Sequence, residues 1–489
     1  MPTAAASKRL TLALLAFAQL IISIDYNIVY VALPRIGDDL GFSAHTLQWV
    51  ISAYVVAYGG FLLLGGRASD LLGRRRMFVL GLVLYAVSSL VGGLATAPGP
   101  LVAARAVQGL GGALLFPATL SLVNTTFAEG RERNRALSVW AGAGAGGLVL
   151  GSLLGGVLTQ ALGWASVFYV NVPLAAVAVL AAFPLLPADP PAAGRRRFDL
   201  PGAFTSTAGT TLVVFALVQG PESGWDAPAV LAAAVAGIVL LAAFVVVEAR
   251  GADPLMPLRL FGNRNLSTGV AITFLFTAAF GSVTYFVTQY LHAVRGFSAL
   301  GIGIAFLPPC VAVFAGSAAG GRLLTRLGAR STLLVSLPLG VVGTAWLGLA
   351  MTPDASYLAL LPGLLILSVG QGITFTTMFA AAATGVPARQ QGVASGMAST
   401  GQQAGTAVGL AVLVAIADSG LAGRSGEALR IATSDGARTA VLLAAGILAV
   451  MIAVALNFRR EDRSAPVPVV VESAPEPATT ENAGEPAGS

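Results

Sequence analysis

An aspartate, Asp25, lies near the middle of the apolar stretch AQLIISIDYNIVYVALP, residues 18–34. A carboxylate in hydrocarbon is energetically costly, so an intramembrane acid usually has a function or a partner. A carboxyl group can also gain and lose a proton, because desolvation favours its neutral form and a nearby arginine favours its charged form. Asp25 is the only acid that we place deep inside an apolar run, and we therefore take it as a candidate proton-binding residue.

An arginine, Arg105, lies in a second apolar run, LVAARAVQGLGGA (residues 101–113). Because an arginine side chain stays protonated in proteins, it must face a partner, water or a helix end to which it can snorkel. Two interpretations of Asp25 remain open. In one, Asp25 binds and releases a proton during a functional cycle, and the charge of Arg105 tunes its affinity for that proton. In the other, it is a structural residue hydrogen-bonded to Asn27, a backbone group or a neighbouring helix.

Other chemistry is scarce in the sequence. The single cysteine, Cys310, excludes an internal disulfide and any CxxC motif. Two histidines, His45 and His292, leave little room for a metal site, and no GxxxxGK(S/T) phosphate loop is present. A membrane enzyme would need clustered titratable groups, and the sequence offers mainly Asp25 and Arg105. We expect neither an enzyme nor a bound metal or organic cofactor.

The composition indicates a polytopic membrane protein. Of the 489 residues, 56% are hydrophobic and only 10% are charged, whereas soluble domains carry about 25% charged residues. A spanning helix needs about 20 mostly apolar residues. This criterion predicts fourteen spans in an all-α protein: 10–32, 47–66, 77–96, 100–124, 136–160, 165–186, 200–219, 228–248, 266–290, 299–321, 332–351, 356–381, 391–416 and 439–457.

The basic residues predict how these spans are oriented. With an even number of spans, both termini lie on one side, and the loops on that side hold 22 of the 28 Lys and Arg residues. The positive-inside rule then places both termini in the cytoplasm. The net charge of +6 therefore reports the orientation of the chain in the lipid bilayer, and we do not expect the protein to bind nucleic acid.

Two sequence repeats share one offset of 255 residues. GFSA occurs at 41–44 and 296–299, and GGRASDLLGRR at 65–75 corresponds to GGRLLTRLGAR at 320–330. Two related halves are a common plan for transporters. The offset leaves room for two extra helices between the halves. We predict a six-helix bundle at 1–194, two inserted helices with their connectors at 195–264, a second six-helix bundle at 265–463 and a disordered cytoplasmic tail at 464–489.

The loop GRASDLLGRRR, residues 66–76, matches the GxxxDxxGRR(K/R) pattern of the major facilitator superfamily. The chain resembles that family, and within it the fourteen-helix drug:proton antiporters of bacteria. The resemblance implies a conformational latch, whereas a plain basic loop is the alternative. Thr325 stands at the position of Asp70 in the second repeat, so we expect the latch to be asymmetric. The implied latch residues are Gly66, Asp70, Gly73, Arg74, Arg75 and Arg76.

Three further stretches carry the resemblance. GLVLGSLLGG, residues 147–156, resembles the antiporter motif GxxxGPxxGG, with Ser152 in place of proline. Residues 24–34, IDYNIVYVALP, resemble the first-helix signature of the fourteen-helix branch, and Arg105 with Gly109 resembles the RxxxG motif of the fourth helix. FYVNVPL (168–174) and GVASGMASTGQQAGTAVG (392–409) also resemble this branch. The implied antiporter-motif glycines are Gly147, Gly151, Gly155 and Gly156.

The resemblance implies proton-driven efflux of amphipathic small molecules such as antibiotics, by alternating access. The expected coupling ion is the proton, carried by Asp25 with Arg105, in a monomer in the inner (plasma) membrane. Rings or amides that could line a central cavity, or face lipid instead, are Tyr26, Tyr30, Trp140, Tyr285, Gln289 and Phe379.

Two other function classes stay open. The first is an importer or metabolite exporter of the same fold, for sugars, amino acids or siderophores. The antiporter-like glycines weigh against it, although Ser152 weakens that objection. The second is a membrane sensor, which would need a sizeable soluble output domain that this sequence lacks.

Overall fold

The computed structural model describes residues 4–42, 44–189, 199–251, 254, 256–419 and 424–458. The predicted tail at 464–489 and the basic residues Arg195–Arg197 lie outside these residues. The regular structure of the described part is helical. The α-helices of the first half are α1 (Ala4–Leu40), α2 (Ala44–Leu47), α3 (Trp49–Leu72), α4 (Arg74–Gly93), α5 (Pro98–Thr126), α6 (Arg131–Leu162), α7 (Ser166–Tyr169) and α8 (Asn171–Leu185). The remaining ones are α9 (Leu200–Ser223), α10 (Pro228–Arg250), α11 (Arg264–Gln289), α12 (Ala299–Ala305), α13 (Leu307–Ala350), α14 (Tyr357–Ala383), α15 (Gln391–Asp418) and α16 (Gly426–Ala455).

Thirteen helical segments in the described residues are long and apolar enough to cross a membrane. One of them, Gly301–Ala350, has 50 residues, whereas about 20 suffice. Its backbone is not helical at Gly328, where φ is 77° and ψ is 169°. The segment therefore consists of two helices joined at a kink, which gives fourteen spans in the described part of the chain, the number predicted from the sequence.

The repeat seen in the sequence is also present in the backbone. Gly73 ends α3 with φ 108°, and its counterpart Gly328 breaks α13 with φ 77°. In the GFSA pair, Gly41 and Gly296 have φ of 68° and 69°. These values lie in the left-handed region that glycine adopts without steric cost. The same turns thus recur 255 residues apart, which supports two related halves, while the predicted domain boundaries stay a prediction.

Helix boundaries follow local chemistry. Prolines stand in the first turn of α5, α9 and α10, where the missing N–H is not needed. Asp199 caps α9 by accepting a hydrogen bond from Gly202 N at 2.8 Å, and Asn263 caps α11. The predicted end of the first span at residue 32 is too early, because α1 continues through Pro34 to Leu40. Arg35 is therefore helical and does not lie in a loop.

Each half is a bundle, and the inserted hairpin contacts both. In the first half α1 packs on α6, and α5 packs on α3 and α4; in the second, α13 packs on α14 and α16, and α11 on α15. The hairpin of α9 and α10 packs through α9 on α3 and on α15. Space for this contact comes from Gly60, where a Cβ would lie 2.0 Å from Thr211 Oγ1.

Small residues let α1 and α6 approach to backbone contact. A Cβ at Gly151 would lie 2.4 Å from the backbone oxygen of Ile24, and one at Gly155 would lie 2.8 Å from that of Ile28. Gly146, on the same helix, has open space around its Cβ position. Close approach of this kind is how membrane helices gain van der Waals contact.

We expect Gly151→Ala to destabilise the protein by about 1–3 kcal/mol, because the added methyl group meets a backbone atom that cannot move aside. Gly146→Ala is the matched control. Since Ala is the better helix former, it should leave stability unchanged or raise it by up to about 1 kcal/mol. The measurement is the thermal unfolding midpoint of the detergent-purified variants. Equal midpoints for the two variants would contradict the packing argument.

Candidate functional site

A buried ion pair joins α1 to α5. Arg105 Nη1 lies 2.8 Å from Asp25 Oδ2. The exposed fraction is 1% for the arginine side chain and 0% for the aspartate side chain. Arg105 lies about two turns into α5, which begins at Pro98, and its guanidinium is buried in the bundle. The structure therefore contradicts the snorkelling alternative, since the charge of Arg105 is balanced inside the protein.

Two side-chain amides complete the hydrogen bonding of Asp25. Gln108 Nε2 and Asn171 Nδ2 both donate to Asp25 Oδ1, at 2.8 and 2.7 Å. Both amide side chains are wholly buried. The carboxylate thus accepts hydrogen bonds from three side chains on α5 and α8, which compensates for the water that it loses on burial.

The guanidinium of Arg105 is also held on its other sides. Nε donates to the backbone oxygen of Val50 at 2.9 Å, and Nη1 donates to Gln108 Oε1 at 2.6 Å. The ring centroid of Tyr54 lies 4.4 Å from the guanidinium carbon, in cation–π geometry. Four helices, α1, α3, α5 and α8, therefore meet at one polar site.

The partner suggested for Asp25 within its own helix is engaged elsewhere. Asn27 Nδ2 donates to the backbone oxygen of Leu148 at 2.9 Å and to Ser152 Oγ at 3.4 Å, both on α6. Asp25 takes its partners from neighbouring helices instead. This geometry is compatible with a structural aspartate and with a proton site, so proton coupling stays a prediction.

Sequence reasoning missed Gln108 and Asn171. Gln108 could have been found, because it lies three residues after Arg105 and so on the same face of the helix. Asn171 lies in FYVNVPL, a stretch noted only for its resemblance to the branch. Its contact with Asp25 spans 146 residues, and no local pattern reports a contact of that range.

The predicted basic loop at residues 66–76 is helical except at Gly73, because α3 ends at Leu72 and α4 begins at Arg74. This segment, still called the basic loop here, connects the two halves. Asp70, whose side chain is fully buried, accepts hydrogen bonds from the backbone N–H groups of Gly392 and Val393 at 3.0 and 2.9 Å. These groups belong to the first turn of α15, where a carboxylate also meets the positive end of the helix dipole. Arg74 donates to Asp70 at 3.1 Å and to the backbone oxygen of Ala388. Asp70 thus holds the start of a helix from the other half.

Gly66, Gly73 and the next two arginines have separate roles. Gly66 packs on α15, since a Cβ there would lie 2.4 Å from the backbone oxygen of Gly392. The N–H groups of Arg75 and Arg76 donate to Asp189 Oδ1 and Oδ2 at 3.0 and 2.9 Å. Asp189 therefore caps α4 from the segment that follows α8. A Cβ at Gly73 would lie 2.2 Å from the carboxyl carbon of Asp189, so this turn needs glycine.

The corresponding turn in the second half has a weaker contact. Thr325, at the position of Asp70, accepts a hydrogen bond from Asn134 Nδ2 on α6 at 3.1 Å. A Cβ at Gly321, on α13, would lie 1.9 Å from Ser138 Oγ, which indicates close approach of α13 and α6. Each half thus contacts the other through the same turn, where the first half has the carboxylate of Asp70 and the second has the hydroxyl of Thr325.

The four antiporter-motif glycines do not form one surface. Gly147, Gly151 and Gly155 face α1, whereas nothing lies within 4 Å of the Cβ position of Gly156. Gly156 therefore takes no part in this contact. Ser152 leaves α6 helical from Arg131 to Leu162, and its hydroxyl donates to the backbone oxygen of Leu148 at 3.3 Å.

The six candidate cavity residues fall into three groups. Trp140 and Phe379 are buried and pack edge to face with ring centroids 5.5 Å apart, beside Phe116 and Phe375. Tyr26 and Tyr30 are neighbours on α1, and Tyr30 is exposed. Gln289 donates to Tyr285 Oη at 3.2 Å on α11. The structure therefore places one pair between the halves and does not gather all six.

Comparison with known proteins identifies the family. A family model described as Major Facilitator Superfamily matches residues 15–410, which is most of the chain. The protein belongs to the Major Facilitator Superfamily. Two solved structures share its fold: the human organic anion transporter MFSD10 (TM-score 0.69, 18% identity, 93% of this chain and 100% of that one) and the proton:xylose symporter XylE (TM-score 0.65, 14% identity, 91% and 95%).

Several relatives within the superfamily are similar in sequence over most of their length. The cephamycin export protein CmcT of Amycolatopsis lactamdurans is 40% identical over 420 residues, which cover 85% of this chain and 86% of that protein. The puromycin resistance protein pur8 of Streptomyces alboniger is 36% identical over 91% of this chain and 90% of its own. The multidrug resistance protein Stp of Mycobacterium tuberculosis is 34% identical, over 83% and 75%. The family predicted from the sequence is thus confirmed.

We expect Arg105→Met to destabilise this family member strongly, because the carboxylate of Asp25 would stay buried without its counter-charge. Removal of one partner of a buried pair costs about 3–5 kcal/mol. The double variant Asp25→Asn/Arg105→Met should recover part of that loss, since no buried charge then remains at the pair. Thermal midpoints of the purified proteins measure both effects. A double variant no more stable than Arg105→Met would contradict this account.

We expect Asp70→Ala to weaken the contact between the basic loop and α15. Each hydrogen bond to a charged group contributes about 1.5–3 kcal/mol, so the population of molecules in which this contact is formed should fall by at least tenfold. The measurement is the distance between spin labels at Leu72 and Arg389 in a Cys310→Ser background, which should shift to longer values. Asp354→Ala is the control, because Asp354 is exposed and binds Arg430 instead. An unchanged distance in Asp70→Ala would contradict the assignment.

Proposed function

We propose that the protein exports amphipathic small molecules, antibiotics among them, in exchange for protons. The observation that carries the proposal is the buried Asp25–Arg105 pair, which gives the bundle a titratable acid beside a fixed positive charge. The names of the relatives, which include cephamycin export, puromycin resistance and multidrug resistance, support the substrate class.

Coupling follows from charge balance. While Asp25 is ionised, the pair is neutral and can remain buried. When Asp25 takes up a proton, Arg105 keeps its charge and loses its counter-ion, which is unfavourable in a site of low dielectric. Protonation therefore favours a conformation in which water or another polar group reaches Arg105. A substrate that prefers one of the two conformations is then coupled to the proton.

The contacts between the halves support alternating access. The Asp70 contact with α15, the Asn134–Thr325 hydrogen bond and the packing of Trp140 on Phe379 all join one half to the other. They lie toward the basic loops, which the positive-inside rule assigns to the cytoplasm. We infer that this conformation is closed on the cytoplasmic side and that export alternates it with one in which these contacts are broken.

Location and assembly complete the proposal. The distribution of Lys and Arg supports an inner-membrane protein with both termini in the cytoplasm. We propose that it works as a monomer, with the proton as coupling ion and without a bound cofactor. The aromatic pair Trp140 and Phe379 separates if the halves open at this end, and would then offer rings to an apolar substrate.

We expect Asp25→Asn to abolish gradient-driven efflux, because an amide cannot take up and release the proton. The measurement is accumulation of puromycin and ethidium in cells that express each variant, with and without a protonophore. Cells with the wild-type protein should accumulate less of either compound without the protonophore than with it. Cells with Asp25→Asn should accumulate the same amount in both conditions. Asp38→Asn, the same change at an exposed site on the same helix, is the control and should export normally.

Efflux by Asp25→Asn at the wild-type level, still sensitive to the protonophore, would remove Asp25 from the coupling role. A wild type that exports none of a broad panel of antibiotics and lipophilic cations would overturn the substrate class.

A further inference from the structure

We propose that Asn171 is a positioning residue that responds to the protonation state of Asp25, and that α8 carries this response to the basic loop between α3 and α4. The inference rests on the proposed function, in which Asp25 is the proton site. It assigns to Asn171, α8 and Asp189 the link between the proton site and the latch.

The donors around Asp25 differ in what they can do after protonation. The new O–H group on Asp25 needs an acceptor, and a guanidinium has none. Gln108 is fixed at both ends, because Oε1 accepts from Arg105 at 2.6 Å and Nε2 also donates to Ser89 Oγ at 2.7 Å. Asn171 Oδ1 is buried and has no hydrogen-bond partner among the described residues. Asn171 is therefore the amide that can turn to present an acceptor.

The proposed step moves one proton and breaks no other covalent bond. With Asp25 ionised, Asn171 Nδ2 donates to Asp25 Oδ1 at 2.7 Å. When Oδ1 takes up a proton, the Asn171 amide rotates by half a turn, and its Oδ1 accepts the new hydrogen bond. The rotation also breaks the long hydrogen bond, 3.5 Å, from Asn171 Nδ2 to the backbone oxygen of Val167.

Among the charged and titratable groups around Asp25, Asp25 itself is the one whose protonation we expect to change. Arg105 faces it from α5, and the phenols of Tyr54 on α3 and Tyr85 on α4 are hydrogen-bonded to each other at 3.4 Å. Tyr26 and Tyr30 lie on α1 itself. Asn171 faces it from α8 and has no charge. Asp25 is the only acid in this set of described residues.

Asn171 lies where the short helix α7 continues into α8, and Val170 between them also has helical φ and ψ. Asn171 is the first residue of α8. The α7 side is fixed, because Tyr169 Oη donates to the backbone oxygen of Gly93 at 2.7 Å and Phe168 is buried. Loss of the hydrogen bond to Val167 therefore removes one side-chain contact between the start of α8 and the α7 turn, which is itself held in place.

The other end of α8 holds the basic loop. The guanidinium of Arg75 lies 5.1 Å from the ring centroid of Phe183 and donates to the backbone oxygen of Leu186 at 3.5 Å. Asp189, shortly after α8, accepts the N–H groups of Arg75 and Arg76. A movement of α8 along its axis therefore acts on the first turn of α4 and on the turn at Gly73.

The length of α8 suits this role. Its 15 residues span about 22 Å at 1.5 Å per residue, most of the hydrocarbon thickness of about 30 Å. The two orientations of the Asn171 amide are discrete states. Two sites are coupled when both of them shift the equilibrium of one element between two discrete states.

The test separates proton uptake from movement of the latch in the full-length, reconstituted protein. The infrared carbonyl band of protonated Asp25, identified by its loss in Asp25→Asn, reports proton uptake as pH is lowered. The distance between spin labels at Leu72 and Arg389, in a Cys310→Ser background, reports the latch. In the wild type both should change with the same pH midpoint.

Asn171→Leu keeps the approximate size of the side chain but removes both polar atoms. We expect this variant to retain the infrared band of protonated Asp25. The pH-dependent change in the ratio of the two spin-label distance populations should become at least tenfold smaller. Asn171→Ser, whose hydroxyl can donate and accept, should restore part of that response. Asp189→Ala removes the contact between the far end of α8 and the basic loop. It should therefore also lose the pH response of the latch, with the infrared band of Asp25 unchanged.

Two results would overturn the inference alone: a latch that still responds to pH in Asn171→Leu and Asp189→Ala, or loss of the acid band in Asn171→Leu, which would make Asn171 only a support for the charge of Asp25. If Asn171→Leu does not fold, the response of the latch in Asp189→Ala decides. An acid band that does not titrate in the wild type would overturn the proposed function itself, and the variants are not needed to see it.

Discussion

A carboxylate and a guanidinium that are buried together lose the water that would otherwise bind their free atoms, and this loss can exceed the attraction between the charges. In this protein the replacements for water come from four helices. Gln108 and Asn171 bind the carboxylate, while Val50 and the ring of Tyr54 hold the guanidinium. The pair can exist only where α1, α3, α5 and α8 meet in this arrangement, so it also constrains how the first half is assembled.

Carboxylates are used in a second way at the basic end of the bundle. Asp70 caps α15 and Asp189 caps α4, so that each acid binds the free N–H groups of a helix start that is remote in sequence. Such a contact is directional and local, because the four free N–H groups of a helix lie in its first turn. It is therefore kept or lost as a whole when two helices move apart. Thr325 lacks the charge, and its hydroxyl accepts a neutral hydrogen bond from Asn134 at this position.

The membrane fold could be predicted from composition and repeats, because apolar length and basic loops are local properties. The approach of Asp25 to Arg105 could only be suspected, since their contact spans 80 residues and depends on how two helices pack. Asn171 could not be assigned to the site at all, because its contact with Asp25 exists only once two helices that are distant in sequence have packed together. The same limit explains Gly156, which fits the sequence motif but faces away from the helix that its three companions contact.

The inserted hairpin adds a constraint on any movement between the halves. α9 packs on α3, which carries Asp70, and on α15, whose first turn Asp70 holds. The contact surface on α3 contains Gly59 and Gly60, against Val214 and Thr211. Small side chains on one helix let the backbone of its neighbour approach closely. If α3 and α15 separate during transport, α9 must therefore remain with one of them and move relative to the other.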